Sequence, residues 1–266
     1  MRRNIAQPAL SRKIQIIENC LGASIFDRNR KGVETTAFGK MCLKLLLAWR
    51  NEGLATSRKI AENIGKQITI KLGTYDSVGI YFFPRLLKMV KAAQLNCNVE
   101  LHLNRSREIV RNVSEGSLDL GLVFFGGLTS ANLKVKPVAM DEYGFFESAT
   151  PRSSNDFYTL VNSTDDQGHT IEDFLKTFGL QHHRLVDSPS FEVAAALTLA
   201  GLGIGILPVR VAQRYVRQHK LKQIEFGKVR NFGRHHLSVV RALNNKDNTI
   251  EKVAQLIEAG FLASSS

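Results

Sequence analysis

The segment Gln7–Gly22 combines side chains that can read DNA bases with the spacing of a single helix. Ser11, Arg12 and Gln15 share one face, and their hydroxyl, guanidinium and amide groups suit base edges in the major groove. A proline in the first turn and a terminal glycine mark the two ends of the helix. The opposite face is apolar at helical spacing and consists of Leu10, Ile14, Ile17 and Leu21. The pattern predicts a short helix that presents polar groups to DNA.

A basic β-hairpin is predicted directly after this helix, in the segment FDRNRKGVETT. Arg28, Arg30 and Lys31 lie near its tip, and Gly32 supplies the turn. Cations on a protruding hairpin can reach phosphates, which position a protein on DNA without specifying the base sequence.

The charge of the chain is concentrated where these two elements lie. The 266 residues have a formal net charge of +12, and residues 1–66 carry 13 Lys and Arg against 5 Asp and Glu. The asymmetry points to a polyanionic partner for this quarter of the chain alone. The alternative is a basic face that is simply solvated.

Small polar residues form a second candidate site, in the loops that follow predicted strands. These loops are Thr74–Ser77, Asn104–Ser106 and Asn162–Thr164. Hydroxyl and backbone N–H groups at helix starts suit a carboxylate or another small anion. The same residues are also typical of ordinary helix caps and turns, so both interpretations stay open.

Other motifs do not indicate catalysis, a cofactor or a metal. The glycines of Gly201–Pro208 follow a helix and precede a strand, which is the reverse of a dinucleotide loop. The pairs His182–His183 and His235–His236 are each predicted at a strand start, where neighbouring side chains face opposite sides. We interpret them as solvated or capping histidines. The sequence contains no GxSxG, HExxH or P-loop motif, and we expect no enzymatic activity.

Cysteine usage and hydropathy indicate the compartment. The three cysteines, Cys20, Cys42 and Cys97, are far apart and form no CxxC motif, which favours a reduced, cytoplasmic protein. No apolar run reaches the length of a membrane span, and no apolar segment follows the basic start MRRN as in a secretory signal. We therefore expect no membrane partner.

The remaining elements define a linker and a larger α/β part. Residues 37–65 are predicted to form one long helix with an imperfect heptad seam, which favours homodimerisation over packing against its own chain. From Gln67 onward, short β-branched strands alternate with helices of about ten residues, including one over Phe83–Ala93. Two rounds of this pattern predict two α/β lobes with parallel strands. A ligand is expected between them, at the carboxyl ends of the strands.

Taken together, these segments resemble the LysR-type transcriptional regulators. The resemblance rests on QPALSRKI, IFDR and KGVETTAFG in the first forty residues, and further on SEGSLDLGLV (114–123) and AGLGIGILP (200–208). It covers essentially the whole chain.

The resemblance implies a transcriptional regulator that binds operator DNA sequence-specifically and responds to a small metabolite, often an anion. It implies a winged helix-turn-helix, of which residues 1–36 form only an incomplete part, and a dimerising linker helix in residues 37–66. An effector-binding domain follows in residues 67–266, with two Rossmann-like lobes as in periplasmic binding proteins. Lobe I is expected to comprise residues 67–140 and 244–266, and lobe II residues 141–243. A homodimer or tetramer is expected, with RNA polymerase as a further partner.

The resemblance also implies roles for individual residues. The recognition-helix positions are Gln7, Pro8, Ser11 and Arg12, and the wing positions are Arg28, Arg30 and Lys31. Two serines fall on positions that commonly touch the effector, Ser77 and Ser106. Further candidates near the same cleft are Thr74, Phe124, Asn162, Ser163 and Phe191.

The chain departs from the family at its start. Family members carry a first helix and most of a second before the QPALS-like segment, whereas this chain has only MRRNIA there. The sequence alone leaves two explanations: a start codon placed too late, or a truncation that weakens DNA binding. In the second case the chain would serve as an effector-binding and oligomerisation module.

Overall fold

The computed structural model describes residues 7–29, 32–125, 132–150, 158–161, 176, 179, 184–188, 190–225, 228–243, 245 and 247–262. The chain divides into two compact units, residues 1–57 and residues 58–266. We describe each unit by itself.

The first unit contains the predicted helix and hairpin. Helix α1 (Gln7–Leu21) ends at a glycine in the left-handed region, as predicted, and strands β1 (Phe26–Asn29) and β2 (Gly32–Thr35) pair antiparallel. Helix α2 (Ala37–Asn63) begins in this unit and confirms the long helix predicted over residues 37–65.

In the part of the chain that the structure describes, the second unit is built on one nine-stranded sheet. Its strands are β3 (Ile68–Thr74), β4 (Cys97–Leu103), β5 (Leu120–Phe125), β6 (Leu133–Ser148), β7 (Tyr158–Val161), β8 (Arg184–Asp187), β9 (Gly203–Pro208), β10 (Leu221–Ile224) and β11 (Asn231–Ala242). Its helices are α3 (Asp76–Ala92), α4 (Ser106–Ser114), α5 (Phe191–Leu199), α6 (Val209–Arg217) and α7 (Asn248–Leu262).

Two groups of parallel strands define the two lobes. The order in the sheet is β4-β3-β5-β11-β6-β9-β7-β8, and β10 pairs with β6. Strand β3 is parallel to β4 and β5 in lobe I, and β7 is parallel to β8 and β9 in lobe II. The long antiparallel strands β6 and β11 join the groups. The predicted two-lobed α/β fold is therefore confirmed.

Each lobe has its own apolar core. In lobe I, α3 and α7 cover one face of the sheet, and α4 covers the other through Ile109, Val110 and Val113. In lobe II, α5 and α6 pack on the sheet through Ala194, Ala195 and Val211. Apolar side chains at helical spacing meet the alternating inward positions of the strands, which is how α/β layers bury their surface.

Helix α3 begins seven residues before the predicted start at Phe83. Pro84 lies inside it, and a proline in a helix interior normally signals a break. Here Val78, Phe82 and Leu86 line one buried face of the helix, and Val90 continues it. Burial of this face offsets the cost of the proline, so the boundary predicted from the sequence was wrong.

Three strand assignments differ from the prediction. Strands β6 and β10 were not predicted, and β11 begins five residues before the strand that the sequence predicts over residues 236–242. His236–Arg241 of β11 pairs with β5, so this part lies with lobe I although the predicted lobe II extends to residue 243. The helix predicted over residues 170–178 lies outside the described residues except at Lys176.

The glycine-rich motif folds as the sequence predicts, whereas one of the two histidine pairs does not. Gly201 has a φ of 75° after α5, and the fully buried strand β9 follows, as predicted. His235 lies inside β11 and is only 3% exposed, so the interpretation as a solvated histidine at a strand start was wrong. Its neighbour His236 faces the opposite side and is exposed. His182 and His183 lie outside the described residues.

Candidate functional site

The DNA-facing residues predicted from the sequence lie on the surface of the first unit. Gln7, Pro8 and Arg12 are exposed on α1, where Ser11 is half-buried, and Arg28 is exposed on β1. The other two predicted wing cations, Arg30 and Lys31, lie outside the described residues. The described residues leave this polar and cationic surface open to a partner.

Glu18 fixes helix α1 to the hairpin. One oxygen of its carboxylate accepts hydrogen bonds from the backbone N–H groups of Ile25, at 2.6 Å, and Phe26, at 3.0 Å. Hydrogen bonds to a charged group are stronger than those between neutral groups. The carboxylate therefore determines how the polar face of α1 is oriented relative to the hairpin.

Thr36 fixes the same turn to the start of α2. Its hydroxyl donates to the carbonyl oxygen of Ser24, at 2.7 Å, and accepts from the N–H of Gly39, at 2.9 Å, which caps the helix. A side chain at Gly39 would collide with the carbonyl oxygen of Ile25. The start of α2 thus packs directly against the turn that joins α1 to β1.

Apolar side chains are unusually exposed in this unit. On α1, Leu10, Ile17 and Leu21 are each close to half exposed. On α2, large apolar residues are more than half exposed, and Trp49 reaches 74%; the others are Met41, Leu43, Leu45 and Leu46. An apolar surface of this kind marks a protein interaction site.

The candidate effector residues of lobe I meet at the carboxyl ends of β3, β4 and β5. Thr74, Ser77 and Ser106 are buried there, with Phe124 beside them. The Thr74 hydroxyl donates to the carbonyl oxygen of Leu122, at 2.7 Å, and the Ser106 hydroxyl donates to that of Phe124, at 2.9 Å. These two hydrogen bonds connect the end of β3 and the start of α4 to β5.

A chain of aromatic rings connects these residues to lobe II. The Phe124 ring lies 4.7 Å from His235, and His235 lies 4.7 Å from Tyr143, between ring centroids. Tyr143 in turn lies 5.9 Å from Phe191, the first residue of α5. The structure therefore links Phe124 and Phe191 through His235 and Tyr143, neither of which the sequence predicts as a residue of this site. The remaining candidates, Asn162 and Ser163, lie outside the described residues.

Two hydrogen bonds join α3 of lobe I to the start of α5 in lobe II. The Ser190 hydroxyl donates to the carboxylate of Asp76, and the Tyr81 hydroxyl donates to Glu192 at 2.8 Å. We call these four residues the clasp. The Arg214 guanidinium lies 5.1 Å from the Tyr81 ring centroid, within cation–π range.

The clasp changes the acidity of two of its members. Burial raises the pKa of Tyr81, and the hydrogen bond to Glu192 adds to this effect. Burial also raises the pKa of Glu192, while the hydrogen bond from Tyr81 lowers it and the charge of Asp76 raises it. A partly buried carboxylate beside a second carboxylate has a higher pKa than one in water, so it is protonated more readily.

A further ion pair connects α6 to strand β6. The Arg210 guanidinium lies 3.1 Å from the carboxylate of Asp141, which is buried, and 5.8 Å from the Phe124 ring centroid.

Among the described residues, no three His, Cys, Asp or Glu side chains are grouped as metal ligands. None of the described helices is long and apolar enough to span a bilayer.

A basic helix-and-hairpin unit joined to a two-lobed ligand-binding unit defines the class of transcriptional regulators that combine both parts in one chain. Two family models match this chain. Residues 1–40 match the bacterial regulatory helix-turn-helix protein of the lysR family, and residues 64–261 match the LysR substrate binding domain. The chain belongs to the LysR family of transcriptional regulators.

Curated relatives agree with this assignment. The chain is 25% identical to the uncharacterized HTH-type transcriptional regulator YybE of Bacillus subtilis, over 77% of this chain and 74% of the relative. It is 24% identical to the hydrogen peroxide-inducible genes activator of Haemophilus influenzae, over 77% of this chain and 72% of that protein.

Solved structures show the same fold. Full-length LysG from Corynebacterium glutamicum, with the bound effector Arg, has a TM-score of 0.68 at 14% identity, over 97% of this chain and 90% of that one. DarR from Vibrio fischeri, in complex with DNA, has a TM-score of 0.61 at 20% identity, over 96% of this chain and 90% of that one. By its two family models, the chain is a DNA-binding transcriptional regulator with an effector-binding domain.

Proposed function

We propose that α1 and the hairpin bind operator DNA in two different ways. Gln7, Pro8, Ser11 and Arg12 contact base edges, while Arg28, Arg30 and Lys31 contact phosphates. The observation that carries this proposal is the exposed polar face of α1, which Glu18 holds in a fixed orientation beside the cationic hairpin. Phosphate contacts position such a unit, and base contacts give it specificity.

Operator binding is tested with the full chain and the DNA upstream of its own gene. Electrophoretic shifts at several salt concentrations should give an affinity that falls steeply as salt rises, because phosphate contacts release counterions. Binding that is equally tight on random DNA at all salt concentrations would contradict the proposal.

A second candidate function has support from α1 itself. Leu10, Ile17 and Leu21 are each close to half exposed, so the described residues do not fully bury the apolar face that would stabilise a recognition helix. A module that binds an effector and oligomerises, but binds DNA weakly, would have this property. Effector binding without any DNA shift at low salt would favour this second function.

The effector is a small molecule that binds between the lobes, at the carboxyl ends of β3, β4 and β5. We propose that Phe124 and Phe191 contact it from opposite lobes, since the aromatic chain and the clasp join the lobes at this place. The other proposed contacts are Thr74, Ser77, Ser106, Asn162 and Ser163. Asp76 and Glu192 lie in the first turns of α3 and α5, and their carboxylates weigh against the anion expected from the sequence.

A thermal-shift screen of anionic, neutral and cationic metabolites tests this site on the full chain. Ser77→Ala and Phe191→Ala should remove the stabilisation by a ligand that raises the melting temperature of the parent protein. Ser106 is unsuitable for this test because its hydroxyl donates a hydrogen bond to the carbonyl oxygen of Phe124 in β5, so its loss would also disturb the fold. Stabilisation that survives in both variants would place the effector elsewhere.

Residues 37–66 form the linker in this proposal, and the exposed apolar side chains of α2 form the contact between two copies. Trp49→Glu should abolish a homodimer detected by light scattering, because it places a charge in an apolar interface. Ile80→Glu is the matched control, since Ile80 is an exposed apolar residue of α3. A cytoplasmic location, a homodimer or tetramer and contact with RNA polymerase complete the proposal.

A further inference from the structure

Lobe II carries a surplus of positive charge in one short segment. Residues 67–266 contain 23 Lys and Arg against 19 Asp and Glu, and residues 214–230 alone contain 6 of these cations with a single acid, Glu225. The rest of this range is nearly neutral, with 17 Lys and Arg against 18 Asp and Glu. Arg214 lies against the Tyr81 ring. The other five cations of the segment are exposed, and we call them the basic edge: Arg217, Lys220, Lys222, Lys228 and Arg230.

The basic edge lies where α6 passes into β10. The N–H of Lys220 donates to the carbonyl oxygen of Tyr215 in α6, at 2.9 Å, and the N–H of Ala149 donates to that of Lys220, also at 2.9 Å. Strand β10 pairs with β6, and the described strands leave its other side unpaired. Leu221 is buried in the core of lobe II, so Lys220 and Lys222, on either side of it, face away from that core.

Hydrogen bonds place Arg230 beside the same strand. Its guanidinium donates through Nε to Oε1 of Gln223 in β10, at 3.2 Å, and the Gln223 amide donates to the carbonyl oxygen of Arg230, also at 3.2 Å. None of the five cations of the basic edge forms an ion pair within the described part of the chain, whereas the nearby Arg234 pairs with Glu142. The fold thus gathers unpaired cations along a free strand edge.

Local structure accounts for two of these cations but not for the whole set. Arg217 lies in the last turn of α6, where a cation interacts favourably with the helix dipole. Lys222 lies opposite Glu147 in the strand ladder, and a lysine on an edge strand discourages pairing with another chain. Neither reason applies to the other three cations of the basic edge, which lie outside α6 and β10.

The chemistry of the basic edge favours DNA over an acidic face of a second copy. Carboxylates on the surface of this unit pair with its own cations, as at Glu108, Glu142, Glu251 and Glu258. DNA, in contrast, presents one negative charge per about 1.7 Å of helix axis, so that it can neutralise several cations at once. Because the two units are covalently linked, a duplex bound by the first unit has a high effective concentration at the second.

We propose that the basic edge of lobe II is a second DNA-binding surface, which contacts phosphates and reads no bases. The identity of this partner rests on the operator binding proposed above, whereas the surface itself lies entirely in lobe II. Its contacts add affinity on any sequence, because phosphate contacts carry no sequence information.

The salt dependence of DNA binding by the full chain tests this surface, with long operator and random duplexes of equal length. A triple variant with Lys220→Gln, Lys222→Gln and Lys228→Gln should have a slope of log affinity against log salt that is shallower by about 2 to 3 on both duplexes, since each phosphate contact contributes about 0.9. The ratio of operator to random affinity should not change.

A matched control removes the same number of charges elsewhere in the unit. It replaces three exposed lysines by glutamine and should leave the slope unchanged: Lys71, Lys91 and Lys134. An unchanged slope in the triple variant, or an equal change in the control, would overturn the proposal. A parent chain that shows the expected slope change but no preference for the operator would contradict the proposed base reading and support this surface.

Chemical acetylation of the parent chain locates the contact independently of affinity. Random DNA should protect the three lysines of the basic edge several-fold from acetylation, because phosphates cover their amino groups, and should leave the three control lysines as reactive as before. Equal reactivity of the basic edge with and without DNA would overturn the proposal. So would a triple variant that loses self-association at an unchanged slope, since the lysines would then serve a contact between two copies.

Discussion

The two units of this regulator differ in how much of each helix is buried. Helix α1 has no fully buried residue, whereas α3 in lobe I has six, including Val78, Phe82 and Leu86. The first unit is held by hydrogen bonds at Glu18 and Thr36, and the second by apolar cores on both faces of a sheet. The exposed surface of the first unit is therefore available to partners, and the second unit supplies most of the stability.

The largest expected effect is on the free energy of unfolding, and it distinguishes a buried side chain of the second unit from an exposed one of the first. Leu86→Ala should lower the free energy of unfolding by about 2 to 5 kcal/mol, because it leaves a cavity at a fully buried position. Ile16→Ala on α1, where the side chain is 56% exposed, should change it by less than about 0.5 kcal/mol. Urea unfolding of both variants measures the difference. Similar losses would show that α1 is buried by a partner in solution.

A smaller loss of unfolding free energy is expected in the first unit, where hydrogen bonds rather than an apolar core connect α1 to the hairpin. Glu18→Ala should cost about 1 to 2 kcal/mol, since it removes two bonds to a charged acceptor that join α1 to the hairpin. We expect operator affinity to fall with it, because the polar face of α1 is no longer held beside the hairpin. Glu34→Ala removes an exposed carboxylate of β2 and is the control. Equal affinities of the two variants for operator DNA would contradict the role of Glu18.

The first unit was also the easier one to predict from the sequence. Its helix and hairpin follow from local signals, namely apolar spacing, a terminal glycine and a turn at Gly32. In the second unit, the predicted start of α3 at Phe83 was seven residues too late. Strand β6 was missed because its partners β9, β10 and β11 are distant in sequence.

The contacts between the lobes were not predictable for the same reason. Asp76 and Ser190 are 114 residues apart, and Tyr81 and Glu192 are 111 residues apart. Phe124 and Phe191 were selected through the family resemblance, whereas His235 and Tyr143, which connect them, lie on the joining strands β11 and β6. Only the folded sheet places these residues side by side.

The clasp provides a test of the connection between the lobes. Tyr81→Phe and Glu192→Ala should each destabilise the chain by about 1 kcal/mol, because each removes one partner of this hydrogen bond. The double variant should lose less than the sum, because the two residues share one hydrogen bond. Urea unfolding of the four proteins gives the coupling energy. Strict additivity would mean that the clasp is open in solution.

The pH dependence of stability should show a smaller contribution from Glu192. Its pKa in the folded chain is raised above the ordinary value of 4.5, mainly by burial, so the folded state binds the proton more tightly than the unfolded state. This contribution is fully present below pH 4.5 and is lost as the pH rises through the folded pKa. Glu192→Gln should remove it, which appears as a smaller loss of stability between pH 4.5 and neutral pH. An unchanged pH profile would contradict the raised pKa.

In the proposed operator complex, the exposed face of α1 reads bases while the hairpin binds phosphates. Fluorescence anisotropy with operator and random DNA, for Arg12→Ala and Arg28→Ala, measures this most directly. Arg12→Ala should weaken operator binding by about 1 to 3 kcal/mol and lower the ratio of operator to random affinity. Arg28→Ala should weaken both DNAs about equally and reduce the salt dependence. Equal changes of the ratio in both variants would contradict the account.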